Sequence, residues 1–266
     1  TETTGLDELT AELVGIAFSW KKGTGYYLPF PEERTACETK LAYFAPFFQS
    51  SEIEKVGHNL KYDIKVLQQY GMNVQAPLFD TMIAHYLINP DMRHNMDVLA
   101  ENYLGYQPQP ITELIGKKGP NQGSMRNVPL DKQTEYAVED ADVTYQLKNH
   151  FVTEMVSKEV IDLFNKIELP LVNVLADMES TGIHIDVDYL NELAIQFQKE
   201  TATLEVRIYE QAGEPFNLAS PKQLGPILFD KLKLVDKPKK TKTGQYSTAE
   251  EVLSYLAKDH AIVADI

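Results

Sequence analysis

Glu54-Lys-Val-Gly57 runs directly into His58-Asn-Leu-Lys-Tyr-Asp-Ile-Lys-Val-Leu-Gln-Gln-Tyr70, and this junction decides the fold. A short strand-like step ends in glycine, and a helical pattern follows from about Asn59 to Tyr70. Upstream, Leu13-Val-Gly-Ile-Ala-Phe18 reads as a strand. Lys21-Lys-Gly-Thr-Gly25 is a turn, and Tyr26-Tyr-Leu-Pro-Phe30 returns as the second arm of a hairpin. Downstream, helices are expected over Thr81–Leu87 and Met96–Tyr103. Residues 105–130 are rich in Gly, Pro, Asn and Gln and read as a long loop, and a helix runs from Asp131 past Gln146. Strands alternating with helices make the first part an α/β domain.

The second part begins near Phe164, where Ile167, Leu171, Val174, Leu175 and Met178 recur at helical spacing until Thr181-Gly182 stops the helix. Ile183-His-Ile185 reads as a short strand, Asp188 as the cap of a long helix through about Tyr209, and Ser220-Pro221 as a helix start. After a lysine-rich stretch, Ser247-Thr-Ala-Glu250 fits a capping box. The boundary is expected near 155–165, giving domains 1–160 and 161–266.

The formal net charge of −14 argues against a protein that grips duplex DNA nonspecifically, because such proteins carry a basic footprint. An enzyme that gathers carboxylates around divalent cations is the exception. Cys37 is the single cysteine, which rules out an intrachain disulfide and fits a reducing cytoplasm; it reads as a small buried residue. Leu13–Phe18, the longest apolar stretch, is far too short to cross a bilayer, so no membrane partner is expected. The chain opens at Thr1 rather than Met, and a longer parent is expected.

Three acidic segments carry the chemistry: Thr1-Glu2-Thr3-Thr4-Gly5, Asn59-Leu-Lys-Tyr-Asp63 and Tyr136-Ala-Val-Glu-Asp140. In the last two a polar residue precedes an Asp by four positions, so Asn59 with Asp63 and Tyr136 with Asp140 would share helix faces. Hard cations such as Mg²⁺ and Mn²⁺ take carboxylate oxygens, and a pair of them suits phosphodiester hydrolysis. A single helical Asp is usually just solvated, and a single Tyr is usually packing; the weight lies in the three segments together.

In that order the segments resemble the Exo I, Exo II and Exo III motifs of the DEDD exonuclease superfamily, in the variant with Tyr in Exo III. Val56-Gly-His-Asn-Leu-Lys-Tyr-Asp63, Phe79-Asp-Thr-Met82 and Tyr136-Ala-Val-Glu-Asp-Ala-Asp-Val-Thr144 are similar to the 3′→5′ proofreading domain of family A bacterial DNA polymerases of the polymerase I type. Ile167-Glu-Leu-Pro-Leu171, Thr181-Gly-Ile-His-Ile-Asp186, Phe216-Asn-Leu-Ala-Ser220 and Ser247-Thr-Ala-Glu-Glu-Val252 resemble the opening of the polymerase domain, leading into its thumb. The resemblance implies a ribonuclease H-like α/β domain, with a mixed central sheet and flanking helices, followed by a mostly helical segment. It implies Glu2, Asp63 and Asp140 as ligands of two divalent cations, Mg²⁺ or Mn²⁺, and Tyr136 as the residue that positions the attacking water. It implies Asn59 and Arg93 on the substrate side, and Met125 where the family often has an aromatic. Lys237, Lys239, Lys240 and Lys242 fall near the thumb tip as duplex contacts, although such a run in isolation reads as a solvated loop.

The Exo I pattern is Asp-x-Glu, and its Asp would fall just before Thr1, so the fragment's own activity hangs on that position. Palm and fingers are expected beyond Ile266, and the fragment is not expected to synthesise DNA. The further implications are a monomer, single-stranded DNA 3′ ends at the hydrolytic site, and a bacterial cytoplasmic, nucleoid-associated location. Two rivals are a ribonuclease D-like RNA-trimming enzyme and an inactive exonuclease-like platform.

Overall fold

Residues 1–266 are all described in the computed structural model and divide into two units, Thr1–Gly182 and Ile183–Ile266. The first is built on an antiparallel hairpin. Strand β2 (Leu13–Lys21) pairs with β3 (Thr24–Pro29) from Gly15↔Pro29 to Lys21↔Thr24, and the two-residue β1 (Glu2–Thr3) pairs with the start of β2 through Glu2↔Gly15. Gly23 turns the hairpin at φ +72°, a conformation that suits glycine.

After β3 come α1 (Arg34–Ala42), α2 (Ala45–Phe48) and β4 (Lys55–Gly57), then α3 (Leu60–Gln69) and β5 (Leu78–Asp80). Strands β4 and β5 are parallel, with Lys55↔Leu78 in register, so α3 is the crossover of a β-α-β unit. Helix α4 (Thr81–Ile88) follows, then α5 (Met96–Leu99), which continues as a π-turn over Ala100–Leu104. Antiparallel and parallel ladders with helices around them give the expected mixed α/β class.

Residues 105–130 are mostly loop but contain α6 (Thr112–Ile115) and a 3₁₀ turn at Met125–Asn127. Leu114, Ile115 and Met125 pack with Val14 and Val128, which gives the segment an anchor that its composition hid.

Helix α7 (Leu130–Ser157) is the spine of this unit. Val143, Leu147, Phe151 and Met155 recur every four residues and bury against Phe79, Ala84, Ile88 and Leu99. At its other end it lies against the hairpin, where a Cβ on Gly25 would meet Val138 Cγ1 at 2.7 Å. Asp142 Oδ1 accepts from the Gly23 amide at 2.9 Å, tying the hairpin tip to the same helix.

Residues 161–182, placed at the head of the second domain by the sequence reading, pack with the first unit. Here α8 (Ile161–Leu163) leads through a π-turn to α9 (Leu169–Thr181), whose Val172 and Ala176 bury against Leu60, Ile64 and Leu78. The salt bridges from Lys61 (2.6 Å) and Lys65 (3.0 Å) to Glu179 reinforce that contact.

The second unit is helical: α10 (Val187–Ala212), α11 (Pro221–Pro226) with a π-turn after it, α12 (Glu250–Leu256) and α13 (Ala261–Asp265). Its core joins Ile208, Ala212, Leu224, Leu228, Phe229 and Ile262. Three local expectations fail. Ile183–Ile185 is not a strand, because no strand lies beside it. Asp186, not Asp188, caps α10, accepting from the Tyr189 amide at 2.9 Å. The Ser247–Glu250 capping box does not form: the Ser247 amide is spent on the Lys239 carbonyl at 2.9 Å, and α12 starts from an Ala249 cap.

Phe151 is fully buried at the centre of the α7 core. Phe151→Ala is expected to lower unfolding free energy by roughly 3–5 kcal/mol, read as a shifted urea midpoint at unchanged slope; a loss below ~1 kcal/mol would show that α7 is not the spine.

Candidate active site

Glu2, Asp63 and Asp140 come from β1, α3 and α7, and all line one cavity of about 390 Å³ in the first unit. Each is held by a different device. Glu2 is fixed by the pairing of β1 with Gly15. Asp140 rides on α7, one turn after Tyr136. Asp63 sits in the first turn of α3, and both the amine (3.0 Å) and the hydroxyl (2.6 Å) of Thr1 donate to its Oδ1.

The placement of α3 depends on Asp80, which is 1 % exposed. Its carboxylate caps α4 by accepting from the amides of Met82 (2.8 Å) and Ile83 (3.2 Å). It also accepts from Asn59 N (3.3 Å) and Leu60 N (2.7 Å), at the start of α3. One buried acid thus joins two helix N-termini and sets where Asp63 points. Gly57 allows the approach, since a Cβ there would meet Leu60 Cδ2 at 2.3 Å.

Burial, with the charge of Asp63 adding to it and the Thr1 amine opposing, raises the Glu2 carboxyl to about 7. Burial and the charge of Glu2 raise Asp140 to about 8. Burial also raises Tyr136, helped by the charges of Asp140 and Glu2, so its hydroxyl keeps its proton at neutral pH. Crowded carboxylates favour positive charge beside them, and carboxylate oxygens are the donors that Mg²⁺ or Mn²⁺ takes, although no group of three or more His, Cys, Asp or Glu residues is arranged in this structure to hold a metal ion.

Other expected residues are placed less centrally. Asn59 lines the cavity, but at φ +66° it is the left-handed cap of α3 rather than part of its face, so the helical pairing with Asp63 does not arise. Arg93 is exposed on the loop between α4 and α5, outside the cavity. Met125 is 2 % exposed and packs with Val14 and Tyr136; it is a core side chain, not a surface on which a base stacks. In the second unit, Lys237, Lys239, Lys240 and Lys242 are exposed. Lys240 bridges to Tyr246 across a turn closed by the Thr241 amide donating to Gln245 O at 2.7 Å.

Sequence reasoning missed Asp80, although Asp before a helical run is a cap signal; its hold on α3 is tertiary. His58, just before α3, also lines the cavity. Its Nδ1 lies 2.9 Å from Thr81 Oγ1, and its Nε2 is buried without a partner. Burial holds this imidazole down at about 4, so it is neutral.

The family described as 3′-5′ exonuclease matches residues 1–156, and DNA polymerase family A matches residues 187–266. DNA polymerase I of Chloroflexus aurantiacus is 38 % identical over 275 residues, covering 100 % of this chain and 29 % of that protein. DNA polymerase I of Borreliella burgdorferi is 36 % identical over 271 residues, with the same two coverages. The chain thus spans under a third of the length of these curated relatives. Among solved structures, the POL domain of Pol1 from M. smegmatis, in complex with DNA primer-template and dNTP, aligns at a TM-score of 0.74 and 26 % identity, over 96 % of this chain and 41 % of that one.

Two outcomes are expected from the site. Asp80→Ala removes a cap and leaves buried amides unpaired, so it is expected to cost roughly 2–4 kcal/mol, measured by chemical denaturation; a cost near zero would contradict the double anchor. The folded-state values of Glu2 and Asp140 lie above their unfolded ones, so their contribution is full below about pH 4 and is lost as pH rises through about 7 and 8. In chelator, Asp140→Asn is therefore expected to gain stability relative to the parent as pH rises from about 5 to 8. A difference in melting temperature that stays flat over that range would contradict the shared burial.

Proposed function

The chain belongs to the 3′-5′ exonuclease family, and we propose that residues 1–160 are the proofreading hydrolase of a bacterial DNA polymerase I. On this reading residues 161–266 open its polymerase domain and include part of the thumb. The reaction is stepwise removal of the 3′-terminal nucleotide from single-stranded or frayed DNA: a water oxygen attacks the terminal phosphorus, the bond to the preceding 3′ oxygen breaks, and a nucleoside monophosphate leaves. The convergence of Glu2, Asp63 and Asp140 from three separate elements on one cavity carries this reading.

Glu2, Asp63 and Asp140 would hold two divalent cations, Mg²⁺ or Mn²⁺. When bound, these ions polarise the phosphate, acidify water and neutralise developing charge. The chain's own contribution is the fixed donor set and a partly desolvated cavity, where charge acts more strongly than in water. Tyr136, kept protonated by burial, packs against Val14 and Met125 one turn before Asp140 rather than lining the cavity, and on this reading it orients the attacking water from the cavity's edge. Asn59, at the cavity wall, meets the terminal nucleotide, and Arg93 steadies the strand outside it. A mismatched end frays more readily, so it reaches this site more often.

Lys237, Lys239, Lys240 and Lys242, exposed on one turn, meet duplex phosphates. The match of residues 187–266 to DNA polymerase family A supports DNA, rather than the RNA of a ribonuclease D-like enzyme, as the substrate. No helix is long and apolar enough to cross a membrane; the reading carries a monomer in the bacterial cytoplasm, associated with the nucleoid.

In the full-length polypeptide with Mg²⁺, Asp63→Ala and Asp140→Ala are each expected to slow shortening of a 5′-labelled single strand by roughly 10²–10³-fold or more, while primer extension stays near the parent's. Shortening at the parent rate in both variants would overturn the assignment.

A further inference from the structure

The tip of the β2–β3 hairpin reads Trp20-Lys-Lys-Gly-Thr-Gly-Tyr26, and none of these residues takes part in the hydrolysis proposed above. Tyr26 lies opposite Phe18 across the ladder, and Trp20 follows Phe18 at period two, so the three rings share one face of the hairpin. Phe18 is covered by Phe44, stacked on it at 5.5 Å. Trp20 and Tyr26 stack on each other at 5.3 Å and 11° but have no such cover, and they are 63 % and 59 % exposed. Exposed aromatic surface that is joined rather than scattered marks a contact site. Lys21 and Lys22, between the two rings, are exposed and have no carboxylate partner, whereas Arg34, Lys61, Lys132 and Lys148 of the same unit are each paired with one. The acids beside the tip are already spent. Asp142 accepts from the Gly23 amide (2.9 Å) and from Gln146 Nε2 (2.8 Å), and Glu54 pairs with Lys148 at 2.9 Å. The Gly23 bond and the close approach of Gly25 to Val138 fix the tip on α7.

We propose that the hairpin tip is a second holding point for single-stranded DNA, outside the hydrolytic centre: bases stack on the open faces of Trp20 and Tyr26, and the phosphates between them meet Lys21 and Lys22. This rests on the exonuclease reading above. Three observations select a single strand as the occupant. Exposed rings flanking unpaired cations supply both parts of a sequence-tolerant site, π faces for the bases and positive charge for the backbone. A duplex keeps its base faces stacked inside and offers the rings none. A second copy would bring its own Lys21 and Lys22 against these, together with another net charge of −14. Trp20 also lines the cavity that holds Glu2, Asp63 and Asp140, so the tip is continuous with the site. Glu2 pairs with Gly15, and Trp20 lies about five residues further along β2. At ~3.3 Å per residue that is about 17 Å, the length of roughly five stacked nucleotides at ~3.4 Å each. With the 3′ end in the cavity, the tip holds the strand about five nucleotides to the 5′ side of the bond being cut.

Trp20 is the only tryptophan, so its emission in the 266-residue chain reports on this surface alone. With chelator present, an oligodeoxythymidylate of about sixteen nucleotides is expected to quench that emission saturably. No saturable quenching at millimolar strand overturns the stacking. Emission that changes with protein concentration before DNA is added assigns the rings to a second copy and overturns it as well. In the full-length polypeptide with Mg²⁺, Trp20→Ala and the double variant Lys21→Ser with Lys22→Ser are the kinetic test. One or both are expected to raise KM for shortening the long strand roughly tenfold at unchanged kcat. KM for a strand of about three nucleotides, too short to reach the tip, is expected to stay at the parent's value, and Trp20→Phe is expected to keep the parent's KM on the long strand. The lysine variant is also expected to lower the slope of log KM against log salt by roughly 1.4. Parent-like KM on the long strand in both variants, or a rise of equal size on the short one, overturns the proposal. Quenching without any shortening by the full-length parent sinks the exonuclease reading, whereas shortening without quenching sinks only the hairpin site.

Discussion

Carboxylates of like charge drawn together out of water form the constraint on which the first unit is organised. Glu2 and Asp140 are both pushed towards their neutral forms, by burial first and by a neighbouring carboxylate next. A folded chain gains nothing in stability from such an arrangement; left alone it would open or take up protons. What it gains is a concentrated negative field at the cavity, seen in the way Glu2 and Asp140 are both raised.

The scaffold holds this unfavourable cluster by being redundant around it. Asp80 secures two helix starts with one carboxylate. Gln133, buried on α7, donates through Nε2 to the carbonyls of Met125 (2.9 Å) and Val128 (2.8 Å), and its Oε1 accepts from Tyr27 at 2.8 Å. Arg126 donates to the Leu13 carbonyl at 3.0 Å. These bonds close the 105–130 segment onto β2 and α7, next to Tyr136. Polar groups buried this way cost little where they find partners, as all but the Arg126 Nε do here, and they fix the backbone from which the site residues project.

What was legible in the sequence was whatever local chemistry determines. The hairpin, the short strand before α3, α3 itself, α7 and the stop at Gly182 follow from periodicity and turn residues; β5, and with it the β-α-β crossover, did not show in the pattern. The site was legible as three segments, of which Glu2, Asp63 and Asp140 line one cavity while Glu139 turns to Tyr106 and the Gln109 amide. What failed depended on contacts far along the chain. Met125 sits in a polar, glycine-rich stretch, and only the packing of Val14 and Val128 makes it core. Asn59 looked helical by spacing, but its left-handed backbone, with its amide given to Asp80, takes it off the face. The Ser247 capping box lost to a competing bond with Lys239. The strand at 183–185 failed for want of a neighbour, since β-propensity expresses fit to a sheet rather than an intrinsic backbone preference.

The central claim is that Glu2, Asp63 and Asp140 act together as a cation-binding set. Mn²⁺ titration of the full-length polypeptide at pH 8, followed by the loss of the free-ion electron paramagnetic resonance signal, tests it most directly. The account predicts saturable Mn²⁺ binding that Mg²⁺ displaces and that weakens sharply in both Asp63→Asn and Asp140→Asn. Binding of equal strength in the parent and both variants, or none at millimolar Mn²⁺, would contradict it.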